Sequence, residues 1–362
     1  MKGDKKMKKI KVLQVGCGKM SKYIMRYVYE KNGEVVGAVD IAPDLIGKDI
    51  GEVMETENKG VKISALENLS ALLESVQVDV AVVATMSFLN DIEEVVRLCV
   101  KKGVNVLTTC EEAFYPENSN PILYRELDSL AKAFNVTITG CGYQDIFWGN
   151  MITSICASMQ RVTKIKGRSS YNVEDYGLAL AKAHGAGLSK EDFQKEIAIY
   201  NDMTEEKRNE MMQRKEFFPS YMWNVVGWLC DKLGLHMLSM QQRCVPVIAD
   251  EPIESSTLNM TLPTGAIRGM NAIVECMTKE NIVLEVECIG KIYVSSEKDE
   301  NEWTIYGEPT TTVLNSSPDT VRLTCADVVN RIPQVIKMES GFVPTSRYSE
   351  PTFVVKDFEE RL

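Results

Sequence analysis

From residue 10 to residue 140, short apolar runs alternate with segments whose apolar residues recur every three or four positions. Ile10, Val12, Leu13 and Val15 make the first run. Met20, Ile24, Tyr27 and Val28 then mark one face of a helix that starts near Lys19, with Gly33 placed to cap its end. Residues 35–39 form a second strand ending on Asp40, and residues 61–63 a third. Leu66, Leu69, Leu72, Leu73 and Val76 have helical spacing. Residues 78–85 are continuously apolar, as the centre of a parallel sheet requires. Ile92, Val95, Val96, Cys99 and Val100 define the next helix, stopped by Gly103. A fifth strand at 104–109 follows, then a helix with Leu123, Leu127, Leu130 and Phe134 inward, and a sixth strand at 136–139. Repeated β–α alternation of this kind predicts an α/β, doubly wound parallel sheet of the Rossmann type over residues 1–145.

Beyond residue 145 the pattern changes. Residues 165–173 read as a strand, and 189–234 as a polar, helical stretch with Phe217, Phe218, Tyr221, Trp223 and Trp228 towards its end. These aromatics fit a core better than a stacking platform. Alternating strands are expected at 258–262, 266–277, 282–292 and 303–306, with Lys279-Glu280-Asn281 as a hairpin turn. This predicts a second, α+β domain over 146–317 with a mostly antiparallel sheet, whose open face could take a substrate or a second subunit. A helix at 317–332, ending before Pro333, opens a segment, 318–362, that is expected to return to the first domain.

A chain of 362 residues has length enough for two such cores. Its net charge of −10 argues against a nucleic-acid or anionic-membrane partner. No apolar run approaches the roughly 18 residues that would span a bilayer. The lysines at the start (Lys2, Lys5, Lys6, Lys8, Lys9) have no apolar region behind them and read as a solvated leader. The ten cysteines include no CxxC pair, and Cys99, Cys156, Cys230 and Cys288 fall inside apolar patterns. Free core thiols fit a reducing cytoplasm. With His184 and His236 as the two histidines, a histidine-rich metal site is excluded, and the cysteine spacing does not suggest zinc.

The first strand–turn–helix carries Gly16-Cys17-Gly18-Lys19-Met20-Ser21. Gly16 allows a sharp turn, Gly18 lets a pyrophosphate approach the backbone, and the first helical N–H groups, around Lys19 and Met20, face its charge. Ser21 holds the third fingerprint position, where Gly or Ala is usual, and is still small. Asp40, at the tip of the second strand, is placed to accept hydrogen bonds from the adenosine ribose. No Arg follows it directly, although Lys48 is near, which favours NAD while leaving NADP possible. Ala84 and Thr85 should pass under the nicotinamide side, with Gly142 and Tyr143 after the sixth strand as further cofactor contacts.

The fifth strand delivers Cys110-Glu111-Glu112 to the carboxyl edge of the sheet, where ligands of doubly wound folds bind. Two adjacent carboxylates repel, and partial burial would raise one pKa towards the range of a general base. The competing reading is a pair of solvated glutamates opening a loop. In Tyr171-Asn172-Val173-Glu174-Asp175-Tyr176-Gly177, Glu174 and Asp175 could grip an ammonium while Tyr171 and Asn172 orient it, or the stretch could be a polar exit from a strand. His184, flanked by glycine, could lie over a ligand or pack a loop. His236 reads as structural. Cys110 as a nucleophile is not favoured, because no histidine lies beside it in sequence.

Together, Gly16-Cys17-Gly18-Lys19-Met20, Thr108-Thr109-Cys110-Glu111-Glu112-Ala113-Phe114-Tyr115-Pro116, Gly140-Cys141-Gly142-Tyr143-Gln144-Asp145 and 171–177 resemble the 2,4-diaminopentanoate dehydrogenases of anaerobic ornithine breakdown. The native amine dehydrogenases are similar, and the N-terminal half resembles dihydrodipicolinate reductase. The resemblance implies a homodimer, NAD or NADP as acceptor, and oxidative deamination at C4 of 2,4-diaminopentanoate. It also implies a catalytic carboxylate in the Glu-Glu segment, without saying which of the two. Glu112 and Ala113 stand where sugar dehydrogenases of this fold carry Lys and Pro, and the His-His pair of dihydrodipicolinate reductase is missing. A reductase of imines or semialdehydes in the same fold is the alternative enzyme. A non-catalytic dinucleotide sensor using 189–214 as a partner surface is the alternative outside catalysis.

Overall fold

The structure, a computed structural model, describes residues 9–355 and 357–361. Lys2, Lys5, Lys6 and Lys8 of the expected leader lie outside the described residues. The alternating apolar runs fold as β1 (Lys11–Val15), α1 (Ser21–Glu30), β2 (Glu34–Asp40), α2 (Ile50–Met54), β3 (Ile63–Ala65), α3 (Leu69–Ser75), β4 (Val80–Val83), α4 (Leu89–Lys101), β5 (Asn105–Thr108), α5 (Pro121–Phe134) and β6 (Thr137–Gly140). Both faces of the sheet are covered, which is why β4 has no polar position. Val80 and Val82 join the core under α1 with Val12, Ile24 and Val28, and Ala81 and Val83 join the opposite core with Leu13, Val96 and Leu127. Helix α1 begins at Ser21, two residues later than the periodicity suggests. Its end is also different: Asn32, not Gly33, takes the left-handed turn, at φ 59°. Gly33 N–H then donates to Val28 O at 2.9 Å, closing the helix in a Schellman arrangement.

The second unit spans Phe147–Pro318. It contains α6 (Met151–Cys156), β7 (Arg161–Asn172), α7 (Leu178–Ala183), α8 (Lys190–Glu196), α9 (Glu205–Gln213), α10 (Tyr221–Leu233), β8 (Met237–Ile248), β9 (Ile253–Ser255), β10 (Met260–Leu262), β11 (Ile267–Thr278), β12 (Val283–Lys291), β13 (Glu300–Glu308) and β14 (Thr311–Ser316). A six-stranded sheet runs β14-β13-β7-β12-β11-β8, with β7 and β12 parallel and every other pair antiparallel. The expected strand at 258–262 shrinks to β10, paired only with β9. Strand β8 escapes the sequence pattern because its inward positions, Met240, Gln242 and Cys244, include a polar residue and carry weak strand propensity. Buried Gln242 accepts the Ser220 N–H at 2.8 Å, satisfying both groups. Trp223 and Trp228 are buried in α10, so the aromatic cluster is core.

The chain then forms α11 (Thr320–Lys337) and β15 (Gly341–Phe342). Contacts group residues up to Ile146 with those from Asp319 onward as one unit. β15 pairs in parallel with β6 and completes a seven-stranded parallel sheet, β15-β6-β5-β4-β1-β2-β3. The Rossmann-type class expected from the alternation is therefore what the chain adopts, with an extra strand. Helix α11 does not stop at Pro333 as expected. Val328, Val329, Ile332 and Val335 are all buried on both sides of the proline, and that packing carries the helix one turn past it. Among the described residues no helix is long and apolar enough to cross a membrane.

Candidate active site

The glycine turn is shaped by its neighbours. Gly16 has φ +84°, and a Cβ there would lie 2.5 Å from Ala84 O and 2.6 Å from Thr85 Cγ2. The first glycine thus lets β1 and β4 end side by side, which brings Ala84 and Thr85 next to the turn. A Cβ on Gly18 would meet no atom within 4 Å. It would enter an open groove of about 590 Å³ lined by Cys17, Lys19, Lys22, Tyr23 and Lys48 among others. Three lysines around a bare backbone turn suit an anionic ligand. Ser21 is buried and its hydroxyl donates to Gly18 O at 2.7 Å, so the third fingerprint position closes the turn with a side chain instead of with close packing alone. Met20 packs into the core beneath α1, leaving its main chain at the turn.

Asp40 lies half-buried at the tip of β2. Its Oδ2 accepts Cys17 N–H at 2.5 Å and its Oδ1 accepts Ala42 N–H at 2.7 Å. Each carboxylate oxygen has a second lone pair, so ribose hydroxyls can still be accepted. The open cradle at Gly18 and this acid at the strand tip fit a dinucleotide. Two substitutions separate shape from binding. Gly16→Ala should cost about 2–4 kcal/mol of stability through clash and backbone strain. Gly18→Ala should change stability by less than about 1 kcal/mol, yet weaken NADH binding at least about tenfold by filling the cradle. Urea denaturation and NADH fluorescence titration read the two effects; normal binding by Gly18→Ala would remove the cradle assignment.

At the ends of β4 and β5 the loops are stitched together. Thr109 N–H donates to Val83 O at 3.1 Å, Glu112 N–H to Ser87 O at 3.1 Å, and Leu89 N–H to Glu112 Oε2 at 2.7 Å. The Ser119 hydroxyl donates to Glu112 Oε1 at 2.9 Å. Glu112, 3 % exposed, is therefore the acceptor for the first turn of α4, and burial raises its pKa against the pull of these donors. Glu111 is placed differently. Part of the residue reaches solvent, but protein atoms crowd its carboxyl closely enough that burial raises its pKa, with the nearby Ser87 hydroxyl acting the other way. The adjacent pair thus has two environments. Cys110 is fully buried, and burial, then Glu111 and Glu112, hold its thiol well above the ordinary range, which removes it as a nucleophile.

Gly142 and Tyr143, after β6, are held by the returning helix: Gly142 N–H donates to Asp327 Oδ2 at 3.1 Å and Tyr143 N–H to Thr324 Oγ1 at 3.2 Å. Tyr143 is 6 % exposed. Beside them Arg331 Nε donates to Asp145 Oδ2 at 2.7 Å, with neither side chain exposed.

In the second unit, Tyr171 and His184 meet at 2.5 Å. His184 Nδ1 lies 2.8 Å from Leu180 O, so that nitrogen carries the proton, and Nε2 accepts from the Tyr171 hydroxyl. Burial lowers the His184 pKa to about 4, so the ring is neutral and both nitrogens are engaged. It packs the loop and offers no cation to a ligand. Glu174 Oε1 accepts from Ser255 Oγ at 2.7 Å and Thr257 N–H at 3.2 Å, tying that carboxylate to its own unit. Asn172 Oδ1 accepts Glu174 N–H, and Asn172 N–H donates to Asp299 Oδ1 at 3.2 Å. Asp175 is exposed and raises the pKa of Asp299, after the larger effect of burial. Asp299 lies far from the 171–177 cluster in sequence, and nothing in its local pattern marks it.

Residues 147–362, more than half of the chain, match the 2,4-diaminopentanoate dehydrogenase C-terminal domain, and residues 10–111 match the dihydrodipicolinate reductase N-terminus. The chain is 23 % identical to the 2,4-diaminopentanoate dehydrogenase of Acetoanaerobium sticklandii, covering 98 % of this chain and 97 % of that protein. It is 33 % identical to the amine dehydrogenase from Mycobacterium smegmatis, with a TM-score of 0.84 over 96 % of this chain and 98 % of that one. The scyllo-inositol dehydrogenase from Lactobacillus casei, at 10 % identity and TM-score 0.58 over 94 % and 92 % of the two chains, shares the fold alone. The resemblance carried by the motifs is borne out by these matches.

Proposed function

The chain belongs to the 2,4-diaminopentanoate dehydrogenase family, a family of oxidoreductases, and on that premise we propose that it oxidatively deaminates 2,4-diaminopentanoate to 2-amino-4-oxopentanoate and ammonia. The observation that carries this reading is the division of labour in the Glu-Glu pair. Glu112 is committed to α4 and Ser119, while Glu111, a partly exposed residue just beyond β5, keeps a crowded carboxyl. Glu111 is the base.

Gly16, Gly18, the main chain of Lys19 and Met20, Asp40, Ala84, Thr85, Gly142 and Tyr143 would hold NAD or NADP. That cofactor supplies the hydride acceptor. Glu111 removes a proton from the substrate ammonium, because the nitrogen must offer its lone pair before the carbon can release hydride. It releases that proton to solvent, then takes one from the water that adds to the iminium carbon and passes it to the nitrogen, which leaves as ammonia as the carbinol proton is lost. A carboxyl raised by burial is suited to both transfers. In the second unit, exposed Asp175 is assigned to the second ammonium, and Asn172 to the substrate carboxylate. Glu174, Tyr171 and His184 shape the loop around them. The working form is a homodimer in a reducing cytoplasm, where ten buried free thiols remain reduced.

The test is a panel of 2,4-diaminopentanoate, simple amines and aldehydes with NAD and with NADP. The diamino acid should give the highest kcat/KM. Turnover confined to aldehydes, or NADH binding with no turnover on any amine, would overturn the reading.

A further inference from the structure

Helix α11 meets two turns of its own unit that are far apart in sequence. Thr324 Oγ1 accepts the Tyr143 N–H at 3.2 Å, and Asp327 Oδ2 accepts the Gly142 N–H at 3.1 Å. These two residues are one helical turn apart and share a face. Another turn on, Arg331 Nε donates to Asp145 Oδ2 at 2.7 Å. Between Thr324 and Asp327, the buried Cys325 thiol donates to Met20 O at 3.3 Å, at the end of the glycine turn. One helix thus holds the segment after β6 and also the segment after β1. We propose that Thr324 is a positioning residue for the cofactor, fixing the Tyr143 main chain so that the turn after β6 keeps the shape that receives the dinucleotide. The inference rests on the reading of Gly142 and Tyr143 as cofactor contacts.

The physical argument is one of preorganisation. A turn left loose must be ordered when a ligand binds, and that ordering subtracts from the affinity. Here the ordering is already done. Both N–H groups of the turn are held by α11, and Gly142 O accepts the Asp145 N–H at 2.9 Å. Turn and helix also touch: Gly142 has φ +147°, and a Cβ there would lie 3.0 Å from Thr324 Cγ2. Changing Thr324 leaves the Asp327 hydrogen bond and the Arg331–Asp145 pair in place, so the turn is loosened at one residue and not lost. Valine keeps the shape of threonine and removes the acceptor. Serine keeps the acceptor.

The experiment combines NADH fluorescence titration with hydrogen exchange over the peptide covering residues 140–146, both on the full chain. In the parent, NADH should slow exchange over that peptide. Thr324→Val should weaken NADH binding about tenfold, the effect of one lost hydrogen bond. The KM for NAD should rise with it, while kcat at saturating NAD and the denaturation midpoint stay near the parent. Thr324→Ser should restore the affinity. Thr324→Ala removes the hydroxyl without setting a methyl group against the Tyr143 N–H, and it repeats the measurement if the valine variant loses stability. Parent-like NADH affinity in the hydroxyl-free variant, with the peptide still protected by NADH in the parent, overturns the role of Thr324 and leaves the turn as a cofactor contact. A lowered midpoint with unchanged affinity does the same. NADH that binds the parent without slowing exchange over residues 140–146 overturns the reading of Gly142 and Tyr143, and the proposal with it.

Discussion

Glu111→Gln should lower kcat for amine oxidation by about a hundredfold to ten-thousandfold, the range expected when a positioned proton acceptor is removed. The amide has nearly the same shape, so NADH binding should stay within about twofold of the parent. Glu112→Gln is the matched comparison. Its amide oxygen can still accept the Leu89 N–H, and the Ser119 hydroxyl can rotate to accept from the amide nitrogen. Most turnover should therefore survive. Glu112→Ala, which leaves buried donors without an acceptor, should cost about 1–3 kcal/mol of stability. The sign of the pH effect follows from the chemistry: the ionised Glu111 is the active form in oxidation, so kcat rises with pH through its ionisation. Steady-state kinetics and fluorescence titration check the set. Equal turnover by Glu111→Gln and the parent would end the assignment of the base, and a collapse only in Glu112→Gln would transfer it to the neighbour.

Arg331→Met should destabilise the protein by about 3–5 kcal/mol, because it leaves the Asp145 carboxylate buried without its cation. Both side chains have no exposure, and Arg331 also reaches Gln334 Oε1 at 2.6 Å and Ser349 O at 3.0 Å. One guanidinium thus pins the end of the sixth strand, the returning helix and the segment after it. Asp327, packed beside the pair, has its pKa raised well above the ordinary range by burial and then by Asp145. Its Oδ2 accepts the Gly142 N–H, and an amide oxygen can accept it equally, so Asp327→Asn should cost less than about 1 kcal/mol. By contrast Arg347 and Glu117, 39 % and 30 % exposed, form a surface pair whose removal should cost about 0–1 kcal/mol. Denaturant midpoints measure all three. A small loss for Arg331→Met would mean that the buried pair contributes little to holding the returning segment.

The parallel sheet was legible because its strands obey the simplest rule available. A strand buried on both faces must be apolar throughout, and a helix covering it must repeat its apolar positions every three to four residues. The glycine turn and the place of Asp40 at a strand tip were legible because a tight turn and a strand end impose local requirements that local residues meet. The strands β8 and β15 were not, since one hides a polar residue on its inner face and the other is two residues long. The capping of α1 by Asn32 instead of Gly33 and the passage of α11 through Pro333 went against local preference for a shared reason: neighbours distant in sequence set the balance. Gly33 has Phe358 within contact of where its Cβ would be, and Pro333 lies in a helix buried on both sides of it.

By itself, then, the order of residues determined the sheet, the glycine turn and the presence of an acidic pair at the edge of the fifth strand, because each depends on spacing along one stretch of chain. Only the folded arrangement decided which acid of the pair is engaged by a helix, why His184 is neutral, and how Arg331 and Asp145 come to meet in a dry interior. Those properties belong to the dielectric surroundings and hydrogen-bond partners of a side chain, and such surroundings are assembled from segments as far apart as residues 145 and 331.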